Sequence, residues 1–167
     1  MNLLAALKAS TLFKGLEDRE IDEILKIARE TRFPKDSLIM EEGEEGDTLY
    51  MVLEGELDVS KSLTMKFGDD DFRTTDKVLT RIRPQDHEVL GEMALICRDK
   101  RSASVMARTD CRLIEIRRDD FIRLVEENPR LGVKILLNLS ELLIGRLRQS
   151  SEDVVKLTTA LSIALSK

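Results

Sequence analysis

Tryptophan is absent from the 167 residues, tyrosine occurs once as Tyr50, and aromatics together make up 4%. A stacking platform for bases is therefore sparse at best. Histidine also occurs once, as His87, which is too few for a multi-histidine metal site. An exposed turn residue is expected there, and no metal ligand. The two cysteines, Cys97 and Cys111, form neither a CxxC pair nor a disulfide framework, and are read as reduced and buried. No apolar run approaches the ~18 residues that cross a bilayer. The opening MNLLAALKASTLF lacks the basic start and cleavage pattern of a signal peptide. A cytoplasmic chain without membrane contact is the expectation. The formal net charge of −5 gives the whole chain no attraction for a polyanion, although one local basic pocket for a small anion stays open. Asp69, Asp70, Asp71 and Asp76 lack the glycine and terminal glutamate of a calcium loop, so Lys66 to Lys77 is expected to be a solvated acidic loop. No serine, cysteine or lysine has a recognisable base nearby, so no catalytic residue and no enzyme are expected.

What is there is the composition of one soluble globular domain, with 42% hydrophobic and 35% charged residues. Ile21, Ile24, Leu25, Ile27 and Ala28 recur at helical spacing between Glu17 and Glu30, with Glu17 and Asp18 at the acid-favouring end. Leu3, Leu4 and Leu7 suggest a shorter helix before it, and Gly15 a break. From Phe33 to Ile116 the pattern changes to short apolar runs: Leu38 to Met40, Leu49 to Leu53, Leu57 to Val59, Val78 to Ile82, Ser104 to Ala107 and Arg112 to Ile116. Gly43, Gly46, Gly55 and Gly68 punctuate them, and no helices intervene, which points to an antiparallel roll. From Asp119, a cap candidate, the chain is helical again. Asn128-Pro129 starts a longer helix, and Ser150-Ser151 offers the cap of a last amphipathic segment from Val154 to Leu165.

The stretch Gly91 to Val105, GEMALICRDKRSASV, carries the chemistry. Gly91 permits close backbone approach to a ligand, and Glu92 accepts from hydroxyls. Met93-Ala94-Leu95-Ile96 is expected to form one helical turn with free amides facing an anion. Arg101 presents a planar fork for two phosphate oxygens, with the Ser102 hydroxyl beside it. These groups fit a ligand with a singly charged phosphate and a free sugar hydroxyl. On chemistry alone, a structural salt bridge between Glu92 and Arg101 is an equal reading.

The same segment resembles the phosphate-binding cassette of the cyclic-nucleotide-binding domain family, which includes catabolite activators, protein kinase A regulatory subunits and gated channels. Gly91-Glu92-Met93-Ala94-Leu95 and Arg101-Ser102-Ala103-Ser104-Val105 match its pattern, and LFKGL (Leu12 to Leu16) and EEGEEGDTLYMVLEGELDV (Glu41 to Val59) are similar to its earlier segments. The resemblance covers Leu12 to about Arg148. It implies that Glu92 accepts the ribose 2′-hydroxyl and that Arg101 binds the exocyclic phosphate oxygens. Amides around Ala94 and Leu95 would add donors, and Ser102 would touch phosphate or base. Gly91, Met93 and Ala103 complete the expected ligand-binding set. The ligand the resemblance implies is cAMP or cGMP, with cAMP favoured on family frequency alone, and no other cofactor is implied. The segment Gln85-Asp86-His87-Glu88-Val89-Leu90 departs from the family's Gly-Asp pair, and Lys100 stands where proline is common.

The implied fold is α+β, mainly β: a double-stranded β-helix, or jelly-roll-like β-roll, flanked by N-terminal helices and a long C-terminal helix. The expected division is 1–149 for the nucleotide-binding domain, with helices over 1–32, the roll over 33–118 and helices over 119–149, then an amphipathic helix over 150–167. Arg146 and Arg148 are candidate lid residues. After the long helix, Gln149 to Lys167 suffice for one short helix and not for a helix-turn-helix, so direct nucleic acid binding is not expected. A homodimer through the C-terminal helices and an unidentified effector protein are the expected partners. The rival reading is a structural or dimerisation module with a non-binding cassette.

Overall fold

Alternation of apolar residues along one central strand organises the molecule. In β3 (Thr48–Glu54), Leu49, Met51 and Leu53 face one way and Val52 the other, and all four are buried. A strand buried on both faces needs a layer on each side. The structure, a computed structural model describing residues 3–66 and 72–166, supplies them. Its other strands are β1 (Ala28–Phe33), β2 (Leu38–Met40), β4 (Leu57–Lys66), β5 (Phe72–Ile82), β6 (Val89–Leu90), β7 (Ser104–Ala107) and β8 (Cys111–Arg117). They form two antiparallel sheets, ordered β1-β8-β3-β6 and β2-β7-β4-β5. Val52, Leu90, Leu113, Leu57 and Val105 fill the space between the sheets. On the other face of the first sheet, Leu49, Met51, Ile114 and Ile116 pack against α1 (Leu3–Ala9), α2 (Asp18–Ile27), α3 (Arg118–Glu127) and α4 (Pro129–Leu165). This is the expected β-roll with flanking helices. No helix of the described residues is long and apolar enough to cross a membrane.

Several boundaries differ from the expectation. The first long helix stops at Ile27, and Ala28 to Glu30 open β1, because pairing with β8 from Ala28↔Ile116 to Phe33↔Cys111 satisfies this backbone. The roll thus begins before residue 33. Much of the expected loop from Lys66 to Lys77 is strand, with β4 and β5 paired from Leu57↔Ile82 to Lys66↔Phe72. Residues 75 to 81 of β5 are exposed, so this edge strand shows no apolar alternation to read. Asp76 lies within it and accepts from the Ser62 hydroxyl at 2.6 Å, whereas Gly68, Asp69, Asp70 and Asp71 lie outside the described residues. Asp119 is not the cap of α3; Arg117 holds that position, and Asp119 stands in the first turn. Asn128 does cap α4, accepting from the Leu131 amide at 3.3 Å, with Pro129 next. The break at Ser150-Ser151 does not occur: α4 runs unbroken for 37 residues. The Ser151 hydroxyl donates to the Leu147 carbonyl at 2.9 Å instead of capping a new segment. Of the cysteines, Cys111 is buried as expected but Cys97 is exposed.

The start of α4 is fastened to the N-terminal helices. The Asn138 amide donates to the carbonyls of Leu12 (3.0 Å) and Lys14 (2.9 Å). Lys134 Nζ reaches both oxygens of Glu20, at 2.7 and 2.9 Å. Glu20 also accepts from the Glu17 amide, closing the capping box of α2. The Lys134 hydrogen bond, then the Glu17 amide, hold the Glu20 carboxyl below its ordinary 4.5. A lowered folded value stabilises the protein above the unfolded value, and that contribution disappears as pH falls through the folded value. Thermal unfolding is therefore expected to show wild type losing more stability than Lys134→Met as pH falls below about 4.5. Parallel losses would refute the coupling.

Candidate functional site

The turn between β2 and β3 is tied to the strand entering β7. The Arg101 amide donates to the Glu44 carbonyl at 2.7 Å, and the Arg101 carbonyl accepts from the Gly43 amide at 2.9 Å. With both its peptide groups fixed, Arg101 sends its guanidinium between Gly46 and Gly91. A Cβ on either glycine would overlap that side chain. Gly91 is further constrained by φ of +70°, and an added Cβ would lie 2.6 Å from the Thr48 carbonyl oxygen. Gly91→Ala is therefore expected to cost about 1–3 kcal/mol of stability and to displace Arg101. Unfolding and ligand titration of the variant check both effects.

Arg101 Nη1 is buried and has no hydrogen-bond partner among the described residues. Burial lowers the pKa of the guanidinium, and Tyr50, Asp47 and Glu92 act in the opposite direction. A buried donor without an acceptor is costly, and such costs concentrate where a ligand supplies the missing group. The expected salt bridge between Glu92 and Arg101 is not the one present. Glu92, 4% exposed, accepts at Oε1 from Arg146 Nη1 at 2.6 Å. Arg146 Nη2 donates to the Val89 carbonyl at 2.8 Å and stands 4.0 Å from Glu88 Oε2. Arg146 thus crosses from α4 to the cassette.

Gly91, Glu92, Met93, Ala94, Arg101, Ser102 and Ala103 all line one cleft of about 140 Å³, together with Arg146. A helical turn of the 3-10 type forms one residue earlier than expected, over Glu92–Leu95 and not Met93–Ile96, with Ile96 as its cap. Two candidates behave differently. The Leu95 side chain is 1% exposed and packs into the helix-facing core, where it anchors the turn. The Ala94 amide, expected to face an anion, donates to the Gly91 carbonyl at 3.0 Å. Arg148 does not join Arg146: two positions along a helix lie about 200° round its axis. Arg148 is exposed and makes no hydrogen bond or ion pair among the described residues.

Met40, Val59, Leu90 and Val105 also line the cleft, with Asp99 and the exposed Lys100. Of the four apolar residues, sequence reasoning assigned Met40, Val59 and Val105 to strands without seeing a site, and left Leu90 in the Gln85–Leu90 segment. They sit at inward positions of β2, β4, β6 and β7, where an apolar residue reads alike whether it meets a neighbour or a ligand. His87 is half-buried rather than an exposed turn residue. It adopts φ of +51°, and its Nδ1 is buried without a partner among the described residues.

The family model of the cyclic nucleotide-binding domain matches residues 30–128. This chain belongs to the cyclic nucleotide-binding domain family. The cyclic AMP receptor protein of Thermus thermophilus is 30% identical over 152 residues, covering 89% of this chain and 62% of that protein. The cAMP-dependent protein kinase regulatory subunit of Schizosaccharomyces pombe is 31% identical over 121 residues, covering 70% of this chain and 29% of that protein. The crystal structure of the Thermus thermophilus catabolite activator protein superposes with a TM-score of 0.74 at 29% identity, covering 89% of this chain and 63% of that one. The chain therefore spans about three fifths of the length of its bacterial relative.

Proposed function

We propose that this chain binds a 3′,5′-cyclic nucleotide, cAMP ahead of cGMP, without catalysing a reaction, and signals by repositioning its C-terminal helix. One observation carries the reading. The buried Nη1 of Arg101, unpartnered among the described residues, and the buried carboxylate of Glu92 belong to residues that line the same small cleft. A cyclic nucleotide offers a singly charged phosphate to the first and a ribose 2′-hydroxyl to the second. Met40, Val59, Leu90 and Val105 give an apolar wall for the rest of the ligand. The preference for cAMP rests on relatives named for it in bacteria and yeast. Cys97, an exposed free thiol, suits the reducing cytoplasm.

The second element of the proposal is a homodimer. Val133, Leu137, Ile144, Leu147, Val154, Leu161 and Leu165 of α4 are each about half exposed or more. With Ser140, Ser151 and Thr158 they recur at alternating steps of four and three, the spacing of a coiled-coil seam. The three hydroxyls donate to carbonyls of their own helix at 2.8–2.9 Å, so burying them leaves no donor unpaired. The seam accommodates a second copy of this chain, and an effector protein would read the paired helices.

Calorimetric titration with cAMP and cGMP tests the binding. Saturable binding at micromolar concentration or tighter supports the sensor and ranks the two nucleotides. No heat with either, in folded protein, overturns it. A structural module with a non-binding cassette would then stand, a reading favoured by the Arg146 side chain already placed on Glu92.

A further inference from the structure

We infer that Arg146 is an internal competitor for the ligand: it holds Oε1 of the Glu92 carboxylate, and a nucleotide binds tightly only by displacing it. This rests on the cyclic-nucleotide reading of the cleft. The Glu92 side chain is 6% exposed and that of Arg146 is 42% exposed. Arg146 is thus the more exposed partner, lines the same cleft and holds Oε1 of the carboxylate, the kind of acceptor a ribose hydroxyl needs. With Arg146 in place the cleft measures about 140 Å³, whereas sites for drug-sized ligands run to about 300–1,000 Å³. The three groups that hold Arg146 are the Glu92 carboxylate, the Val89 carbonyl and, more distantly, the Glu88 carboxylate. All belong to one short segment, so displacement at Glu92 frees the middle of α4 from the cassette.

The sign of the effect follows from which state each contact belongs to. Removing Arg146 leaves Glu92 buried without its partner before binding, and leaves the ligand's own contact with Glu92 intact afterwards. Binding then becomes more favourable. A lid residue that touched the ligand would act in the opposite sense, since its removal would weaken binding.

The test compares wild type, Arg146→Met and Arg148→Met by calorimetry with cAMP and cGMP, after circular dichroism has shown that all three are folded. Methionine keeps an unbranched stem and removes the charge. Arg148→Met removes the same charge two positions on, from a side chain with no hydrogen bond or ion pair among the described residues. Arg146→Met is expected to bind about tenfold more tightly, or about 1.4 kcal/mol, with Arg148→Met close to wild type. Binding by wild type with equal or weaker binding by Arg146→Met overturns the competitor and leaves the sensor standing. Equal tightening in both variants also overturns it, because net charge alone would then be the cause. No binding by any of the three overturns both the competitor and the sensor.

Discussion

Replacing Arg101 with alanine is expected to weaken cyclic-nucleotide binding more than a hundredfold while leaving the fold as stable as before or more so. The two effects have opposite signs because the guanidinium is costly to the fold and useful to the ligand. Its Nη1 is buried without an acceptor among the described residues, and burial works against its charge. Removing it relieves a desolvation cost without breaking a side-chain hydrogen bond among the described residues. Toward a phosphate, the same fork forms two charge-assisted hydrogen bonds at about 1.5–3 kcal/mol each. Thermal unfolding and calorimetry on the same preparation separate the effects. A large loss of stability would show that Arg101 is a structural residue of the turn it threads, and the site reading would lose its main support.

The second large effect concerns assembly. Aspartate at both Leu147 and Leu161 is expected to turn a dimer into a monomer. Each leucine is exposed in the single chain, at 67% and 59%, so its replacement leaves the roll and its core untouched. In a paired seam the same positions are buried, where each leucine contributes about 1.5–3 kcal/mol and an unpaired carboxylate opposes association. Dissociation should be favoured by about a thousandfold or more, which sedimentation velocity resolves directly. Ile163→Asp supplies the control: it is 61% exposed but lies off the four-three register, so it should remain dimeric. A wild-type protein that sediments as a monomer at tens of micromolar would sink the coiled-coil reading, whatever the variants do.

The sequence made some of these features readable and hid others for physical reasons. The cassette was legible because its chemistry is local: Gly91 and Glu92 are adjacent, and Arg101 follows within one loop. Its tertiary completion was not. Arg146 could be nominated from its position near the end of the resemblance, yet nothing local separated it from Arg148. Only the placement of α4 on the roll distinguishes two arginines two residues apart. The length of β5 was hidden for a different reason. An edge strand exposed over residues 75 to 81 has no buried face to enforce alternation, so only its end, Val78 to Ile82, reads as strand and the part up to Lys77 reads as loop. Ala28 to Glu30 continued a helical pattern and became strand because β8 offered a pairing partner that no window of the sequence contains. The serines at 150 and 151 looked like a cap because serine favours that role, but the helix continues through both, and the Ser151 hydroxyl turns back to the Leu147 carbonyl of its own helix.

The unbroken α4 also sets the mechanical gain of the molecule. Its first turns are fastened to the N-terminal helices by Lys134 and Asn138, and among the described residues Arg146 makes its last hydrogen bond to the roll. Beyond Arg146 the helix is exposed as far as Leu165, a reach of about 28 Å at about 1.5 Å per residue. A tilt of about 10° about that last contact would carry the far end through about 5 Å, comparable to one helical turn. On the proposed reading, a hydrogen bond exchanged in the cleft would thus be enlarged, by leverage alone, into a displacement on the scale of a seam's register. A chain broken at Ser150, with a flexible joint there, would dissipate the same event within the joint.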